Sequence, residues 1–247
     1  MTWPEGVARH VLDAVESTMT AAAKLAEGAA PTWVMAHRQT AGRGRRGRDW
    51  RDPPGNFAAT LSLRPGRGPA EAALYSFVAA LALHEALATV AGPQARLAIK
   101  WPNDVLLNGG KVAGILLESH GAGQGIGQLL IGIGVNLVAV PDAGTLEPGA
   151  VPPVALAPET GARLLPEEFL TYLAAAFARW QAQFETWGFA PIRTAWLARA
   201  ARLGQEVTAR TGTETRTGTF DTIDARGAMV LRTAEGRVAI AAAEVFF

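Results

Sequence analysis

The alternation of apolar and polar positions divides the chain into two textures. Up to about residue 136, short β-rich runs alternate with helical ones. Residues 10–15 read as a strand, and Glu16-Ser17-Thr18 starts a helix running to residue 29, because a Ser or Thr hydroxyl satisfies the orphan N–H groups of a first turn. Residues 32–36 and 57–63 are strands, and residues 69–91 form one long apolar helix with Pro in its first turn. Strands at 97–101, 112–118 and 129–137 follow, with Asn108-Gly109-Gly110 marking a hairpin turn. Residues 139–165, rich in Pro, Gly and Ala, read as a surface loop. Residues 166–187 form an amphipathic helix with Phe169, Leu173, Phe177, Trp180 and Phe184 on one stripe. Beyond residue 203 the texture changes to short alternating runs at 207–210, 215–223, 228–232 and 237–240, broken by Gly212, Gly227 and Gly236, which suits a small β-barrel. The expected organisation is an α/β (α+β) domain over residues 1–200 and a β domain over 203–247.

Composition narrows the chemistry. The 247 residues are 49% apolar and 18% charged, so a sizeable core is available, and a net charge of +1 supplies no global field toward nucleic acid or anionic membrane. With no cysteine, thiolate nucleophiles, disulfides and Cys-ligated zinc are excluded. The apolar stretch 70–91 carries Glu71, His84 and Glu85, which favours a buried helix over a membrane span. No signal-peptide pattern is visible near Met1, and a cytoplasmic location is expected. The four histidines show no metal spacing and no nucleophile-elbow serine is present, so covalent catalysis by a side chain of this protein is not expected.

Charge is nevertheless concentrated locally. Six arginines fall between Arg38 and Arg51, in a run that includes Gly42-Arg43-Gly44-Arg45-Arg46-Gly47-Arg48-Asp49-Trp50. Its glycines satisfy the dinucleotide-binding spacing, but the prolines and glycine that follow cannot open the helix that motif needs. A nucleic-acid-binding tract is one alternative. The other is a loop whose guanidinium forks and glycine N–H groups enclose an anion, mobile when empty and ordered over its ligand, with Trp50 as a stacking surface.

A second constellation is Lys100-Trp101-Pro102-Asn103-Asp104 followed by Lys111-Val112-Ala113-Gly114. The chain has only three lysines, at 24, 100 and 111, so a Lys kept at two strand-proximal positions suits a phosphate or carboxylate oxygen in a tight site. Asp104 is a candidate ligand for Mg²⁺ bridging nucleotide phosphates. Residues 109–111 resemble the tail of a P-loop, but Val105 and Val112 stand where that motif needs Gly and Ser/Thr. Gly132-Ile133-Gly134-Val135-Asn136 ends a strand where a ligand can approach the backbone, and Asn136 can both donate to and accept from an adenine edge.

In order and spacing, Glu16-Ser17-Thr18, Gln39 with the Gly/Arg loop to Trp50, Lys100 to Asp104, Lys111-x-x-Gly114-Ile115-Leu116 and Gly132-x-Gly134-x-Asn136 resemble the motifs of biotin–protein ligases. The resemblance covers about residues 9–137. It implies a catalytic domain like those of class II synthetases and lipoate ligases, with a small SH3-like C-terminal domain. The implied reaction consumes biotin and Mg²⁺-ATP, forms biotinyl-5′-AMP and transfers biotin to a lysine of a biotin carboxyl carrier protein.

The resemblance further implies that Ser17, Thr18 and Gln39 hold the biotin ring, and that Arg43, Gly44 and Arg45 close over biotin and the adenylate. Lys111 would sit between the carboxylate and the α-phosphate, with Gly114 on the pocket floor. Trp50 and Asn136 would take adenine, and Arg48, Lys100, Asn103 and Asp104 the phosphate and metal region. The catalytic candidates are Lys111, Arg45 and Lys100. Where Asp and Asn usually flank Ser-Thr, this chain has Glu16 and Met19. The motif begins at residue 16, which leaves no room before it for a helix-turn-helix domain. No specific DNA binding, no membrane association and a monomer or homodimer are therefore expected. A lipoate–protein ligase of the same fold and a nucleic-acid-binding regulator are the alternatives.

Overall fold

The computed structural model describes residues 1–25, 30–66, 68–122, 125–140 and 149–247. A seven-stranded mixed sheet forms the centre. Its strands are β1 (Ala8–Leu12), β2 (Thr32–Ala36), β3 (Phe57–Leu63), β4 (Leu97–Lys100), β5 (Asp104–Leu107), β6 (Gly110–Ala122) and β7 (Gly125–Val135), in the order β1-β2-β3-β7-β6-β5-β4. Only β1 and β2 run parallel.

One face is covered by α2 (Pro69–Ala73), α3 (Tyr75–Ala91) and α5 (Pro166–Trp187), and α6 (Phe189–Leu197) packs on α3 and α5. Phe57, Ala59, Leu61 and Leu63 of β3 point into this core, where Phe57 meets Phe169 edge-on with ring centroids 5.0 Å apart. The stretch Pro69–Ala91 has the length and hydropathy of a membrane-crossing segment, yet α3 buries most of its residues against the sheet, α5 and α6. It is also two helices, because Leu74 caps one and opens the next, which corrects the single helix expected there.

The opposite face of β3 presents Ala58, Thr60 and Ser62, and a single helix, α1 (Thr18–Leu25), packs there through Met19 and Ala22 onto Val34 and Leu130. This thinner cover leaves room for a cleft. Ser17 caps α1 by accepting a hydrogen bond from the Met19 N–H at 3.2 Å, a contact of the kind that contributes about 1 kcal/mol. Residues 26–29, where the sequence continued this helix, lie outside the described residues.

Several expected boundaries shift. The first strand lies at Ala8–Leu12 and not at 10–15, since its partner is the parallel β2. Strand β5 was not expected. It pairs with β6 across an Asn108-Gly109 turn whose φ values of 51° and 91° fit the primed hairpin geometry that Asn-Gly favours. The segment read as a loop over 139–165 contains α4 (Leu156–Thr160), and its residues 141–148 lie outside the described ones. Helix α6 was also missed.

The C-terminal strands β8 (Glu206–Arg210), β9 (Thr215–Ile223), β10 (Met229–Thr233), β11 (Gly236–Ile240) and β12 (Glu244–Phe246) form an antiparallel sheet in the order β11-β10-β9-β8-β12. Its attachment is partly aromatic: Phe77, Trp196 and Phe220 meet in sequence at 5.5 and 6.4 Å. The Trp101 indole donates to the Gly227 carbonyl at 3.1 Å, so the Trp of the Lys-Trp-Pro-Asn-Asp run ties the two sheets together. The unexpected β12 is the strand that this arrangement brings to the cleft.

Candidate active site

The open face of the large sheet carries a cleft of about 660 Å³. Its floor follows from strand register. Thr60, Gly132 and Leu116 are cross-strand neighbours, as are Ala58, Gly134, Gly114 and Asp104. Ile131, Ile133 and Val135 alternate with the glycines and enter the core on the other face. A Cβ at Gly134 would come within 2.3 Å of the Trp50 ring, and one at Gly132 within 3.0 Å of the Met19 sulfur. These glycines let two large side chains lie flat on the sheet.

Lys111 reaches this floor through a backbone irregularity. In a regular strand residues 111 and 114 would face opposite sides. A bulge in β6 opposite Val105 and Leu106 inserts one residue, and the Lys111 ammonium comes 3.4 Å from the position of a Cβ on Gly114. There its Nζ forms an ion pair with Asp104 at 2.7 Å and lies 5.9 Å from the Trp50 ring centroid.

One end of the cleft is neutral and wired by hydrogen bonds. Gln39 Oε1 accepts from the Thr18 N–H at 2.9 Å and from the Thr18 hydroxyl at 3.1 Å, and the Thr60 hydroxyl donates to Thr18 Oγ1 at 2.9 Å. Ser17, Thr18 and Thr60 are buried. With its oxygen accepting from Met19, Ser17 retains its hydroxyl hydrogen. Thr18 has spent its hydrogen on Gln39 and keeps an oxygen lone pair.

The other end is cationic. The Gly/Arg segment is a folded hairpin, joined by Gly44 N–H to Arg48 carbonyl (2.7 Å) and Trp50 N–H to Gly42 carbonyl (2.9 Å). A Cβ on Gly42 would stand 2.5 Å from the Trp50 carbonyl, so this glycine permits close approach of the two limbs. At the tip, Arg46 and Gly47 adopt left-handed φ values of 57° and 72°.

The loop is fastened to the C-terminal sheet by Glu244, whose carboxylate meets Arg46 at 2.9 Å, Arg48 at 2.5 Å and Arg210 at 3.0 Å. Burial alone would raise the pKa of Glu244, but hydrogen bonds and charge from Arg210, Arg48 and Arg46 hold it below the ordinary value. Arg45 turns inward and donates to Asn103 Oδ1 at 3.0 Å, while Asn103 Nδ2 donates to the Ile115 carbonyl at 2.7 Å. Burial lowers the pKa of Arg45 and of Lys100, with Asp104 opposing the shift in both.

Most of the residues singled out from sequence thus line one cavity: Ser17, Thr18, Gln39, Arg43, Gly44, Arg45, Arg48, Trp50, Lys100, Asn103, Asp104, Lys111, Gly114 and Asn136. Two differ in detail. Arg43 points to the rim, paired with Glu118 at 3.2 Å. Asn136 is not free both to donate and to accept, because its Nδ2 donates to the Val154 carbonyl at 3.0 Å. Its buried Oδ1 is left as an acceptor without a partner among the described residues. Glu244, Ala150, Val151 and Pro153 of the lining were missed, as was Thr60, which donates to the lining residue Thr18. Thr60 had a signal, a hydroxyl alternating with the large apolar residues of its strand, whereas Glu244 had none, since it reaches the cleft only by docking of the second sheet.

Comparison with known proteins agrees with this geometry. The pattern of the biotin/lipoate A/B protein ligase family matches residues 11–136, and that of the biotin protein ligase C terminal domain matches residues 203–247. A biotin--[acetyl-CoA-carboxylase] ligase of Paracoccus denitrificans is 62% identical over 238 residues, covering 96% of this chain and 99% of the relative. The bifunctional ligase/repressor BirA of Bacillus subtilis is 33% identical over 248 residues, covering 98% of this chain and 75% of that protein. Among solved structures, the biotin protein ligase of Aquifex aeolicus in complex with biotin and ATP superposes with a TM-score of 0.79 at 26% identity, over 96% of this chain and 97% of that one. The chain belongs to the biotin/lipoate A/B protein ligase family.

Proposed function

We propose that this chain is a biotin–protein ligase that activates biotin with ATP and transfers it to a carrier-protein lysine. The name of the Paracoccus relative makes the biotin-carrying part of acetyl-CoA carboxylase the expected acceptor. The observation that carries the assignment is a single cleft with a neutral hydrogen-bonding end, a cationic end, and Lys111 between them.

In this reading the neutral end takes the biotin ring. Ser17 donates its free hydroxyl hydrogen to the urea carbonyl, and the Thr18 oxygen accepts from a urea N–H, so donor and acceptor are both matched. The valeryl carboxylate then reaches Lys111. Adenine lies beside Trp50, and Asn136 Oδ1 accepts from its exocyclic amine, which relieves a buried unpartnered acceptor. Arg45, Arg48 and Lys100 take the phosphates, with Asn103 orienting Arg45.

The first step joins a carboxylate oxygen of biotin to the α-phosphorus as the bond to the bridging oxygen of pyrophosphate breaks. Two anions must approach and charge accumulates on the phosphoryl oxygens, which Lys111 and Arg45 neutralise from fixed positions. In the second step a neutral lysine amine of the acceptor attacks the acyl carbon. The bond to the AMP oxygen breaks, and the extra proton on nitrogen leaves to water. No enzyme nucleophile is required.

Magnesium fits this site through one protein group. Asp104 is a cleft carboxylate beside the phosphate end, and Mg²⁺ is commonly held by one or two carboxylates together with substrate phosphates and water. The ion would neutralise charge on the departing pyrophosphate. Asp104 also anchors Lys111 through their ion pair.

The deciding experiment is mass spectrometry of a carrier domain incubated with this protein, biotin, ATP and Mg²⁺. The expected gain is one biotinyl group on one lysine, dependent on all components. Lipoylation in preference to biotinylation, or no transfer, would overturn the reading.

A further inference from the structure

Behind the neutral end of the cleft lies a carboxylate that does not line it. Asp52 follows Trp50 along the chain as it leaves the loop, and both of its carboxylate oxygens are buried with no hydrogen-bond partner among the described residues. The only side chain acting on it is Gln39, whose amide faces it, and no charged group contributes among the described residues. Burial outweighs that amide and pushes the Asp52 pKa up to about 6. A buried acceptor of this kind is costly, and the reaction described above does not use it.

The position of Gln39 explains its use. Gln39 Oε1 is occupied by two donors from Thr18, one of them a backbone N–H that can only donate. The amide nitrogen must then point the other way. It sits over Gly42, where a Cβ would lie 3.0 Å from Nε2, and faces Asp52. A relay of fixed polarity results: Thr60 donates to Thr18, Thr18 donates to Gln39, and Gln39 turns its N–H groups toward the carboxylate. Its last consequence is that the Thr18 oxygen presents a lone pair to the cleft.

We propose that Asp52 is a positioning residue that sets the polarity of this relay, and through it the affinity for the cyclic urea of the substrate. The inference rests on the reading that Ser17, Thr18 and Gln39 hold the biotin ring. Ionised, Asp52 holds the amide N–H groups on its own side. Protonated, it offers a hydrogen of its own and no longer supports the amide orientation that the Thr18 N–H also requires. The flipped amide sets N–H against the Thr18 N–H and disorders the acceptor that the urea needs.

The test is biotin binding by calorimetry without nucleotide, between pH 5.5 and 8.5, on the full chain and on Asp52→Asn, Gln39→Ala and the double variant. At pH 8 Asp52→Asn should bind biotin about tenfold more weakly, as the charge that favours this orientation of the Gln39 amide is lost. In the parent protein affinity should fall roughly threefold more between pH 8 and 5.5 than in Asp52→Asn, as the carboxylate titrates. In the Gln39→Ala background the Asp52 substitution should add nothing, and KM for ATP should not move in Asp52→Asn.

Stability should change in the opposite direction. A folded-state pKa raised above the unfolded one contributes stability at low pH that is lost as pH rises through the folded value, so Asp52→Asn should melt higher than the parent at pH 8. Unchanged biotin affinity and pH profile in Asp52→Asn, alongside weakened binding in Gln39→Ala, overturns the inference alone. If Gln39→Ala also binds biotin normally, the assignment of the biotin end fails, and the inference with it. Should Asp52→Asn not fold, the acid-side weakening must be absent from Gln39→Ala, and its persistence there overturns the proposal.

Discussion

The two ends of the cleft are built on different principles. At the neutral end, Ser17, Thr18 and Thr60 are buried on a helix start and a central strand, and nearly every hydrogen-bonding group has an assigned direction. At the cationic end the arginines stand on a loop, half-exposed, and are held by carboxylates, Glu244 for Arg46 and Arg48 and Asp104 for Lys111. The first design suits a ligand recognised by shape and by donor–acceptor pattern, because nothing there needs to move. The second suits a multiply charged ligand. Carboxylates keep like charges together until phosphate oxygens replace them. Recognition and charge neutralisation therefore have separate physical bases within one cavity.

The largest effect should come from the group between the two ends. On the proposed mechanism Lys111→Ala removes a charge needed as charge develops on the α-phosphate, so formation of biotinyl-AMP should slow about a hundredfold or more, equivalent to ~3 kcal/mol of barrier. Single-turnover release of pyrophosphate measures this. Lys111→Arg should recover little of it, since the fork is larger than the space that Asp104 and Gly114 define. A variant within threefold of the parent would show that the two ends act independently of Lys111.

Next in size is the shared floor. Gly134→Val places a side chain where the Trp50 ring lies, and overpacking of this kind costs about 1–3 kcal/mol. The indole should be displaced, raising KM for ATP about tenfold or more with a smaller effect on biotin. Trp50 fluorescence on titration with ATP reports the displacement directly.

Ionic strength separates the ends without any substitution. Raising salt from 0.05 to 0.5 M shortens the screening length about threefold, and should weaken ATP binding severalfold while leaving biotin binding nearly unchanged. Equal salt sensitivity of the two ligands would contradict the division drawn here.

The smallest effect concerns the clasp. Glu244→Gln keeps the shape but releases Arg46 and Arg48, so hydrogen exchange over residues 42–50 should rise, with at most a few-fold change in activity. The Glu244 pKa is depressed, so its contribution is present above the unfolded pKa and is lost as pH falls through the folded one. The parent loop should therefore loosen in acid while the Gln variant is already loose at neutral pH.

Local chemistry made much of this site legible. Gly132 and Gly134 stand out because they interrupt a strand of isoleucines, Lys100 and Lys111 because the chain otherwise prefers arginine, and Ser17 because it precedes an apolar helix. Strands β2, β3 and β9 and helix α5 were readable to the residue, since period and boundary signals coincide there. Strand β5 was not, because Asp104–Leu107 is short and begins directly after Pro102 and Asn103. The break at Leu74 was hidden by unbroken apolar composition on both sides.

The sequence by itself determined the alphabet of the site: which residues carry charge, which lack a Cβ, and which cap a helix. Tertiary structure decided their use. A bulge in β6 turned Lys111 onto the same face as Gly114, which strict alternation along the strand would have denied it. Register between β3, β7 and β6 aligned Thr60, Gly132 and Leu116 from three distant segments. Docking of the second sheet brought Glu244 to arginines almost two hundred positions earlier, 198 in the case of Arg46. Such pairings depend on how whole surfaces bury against one another, a long-range property with no periodic trace in the chain.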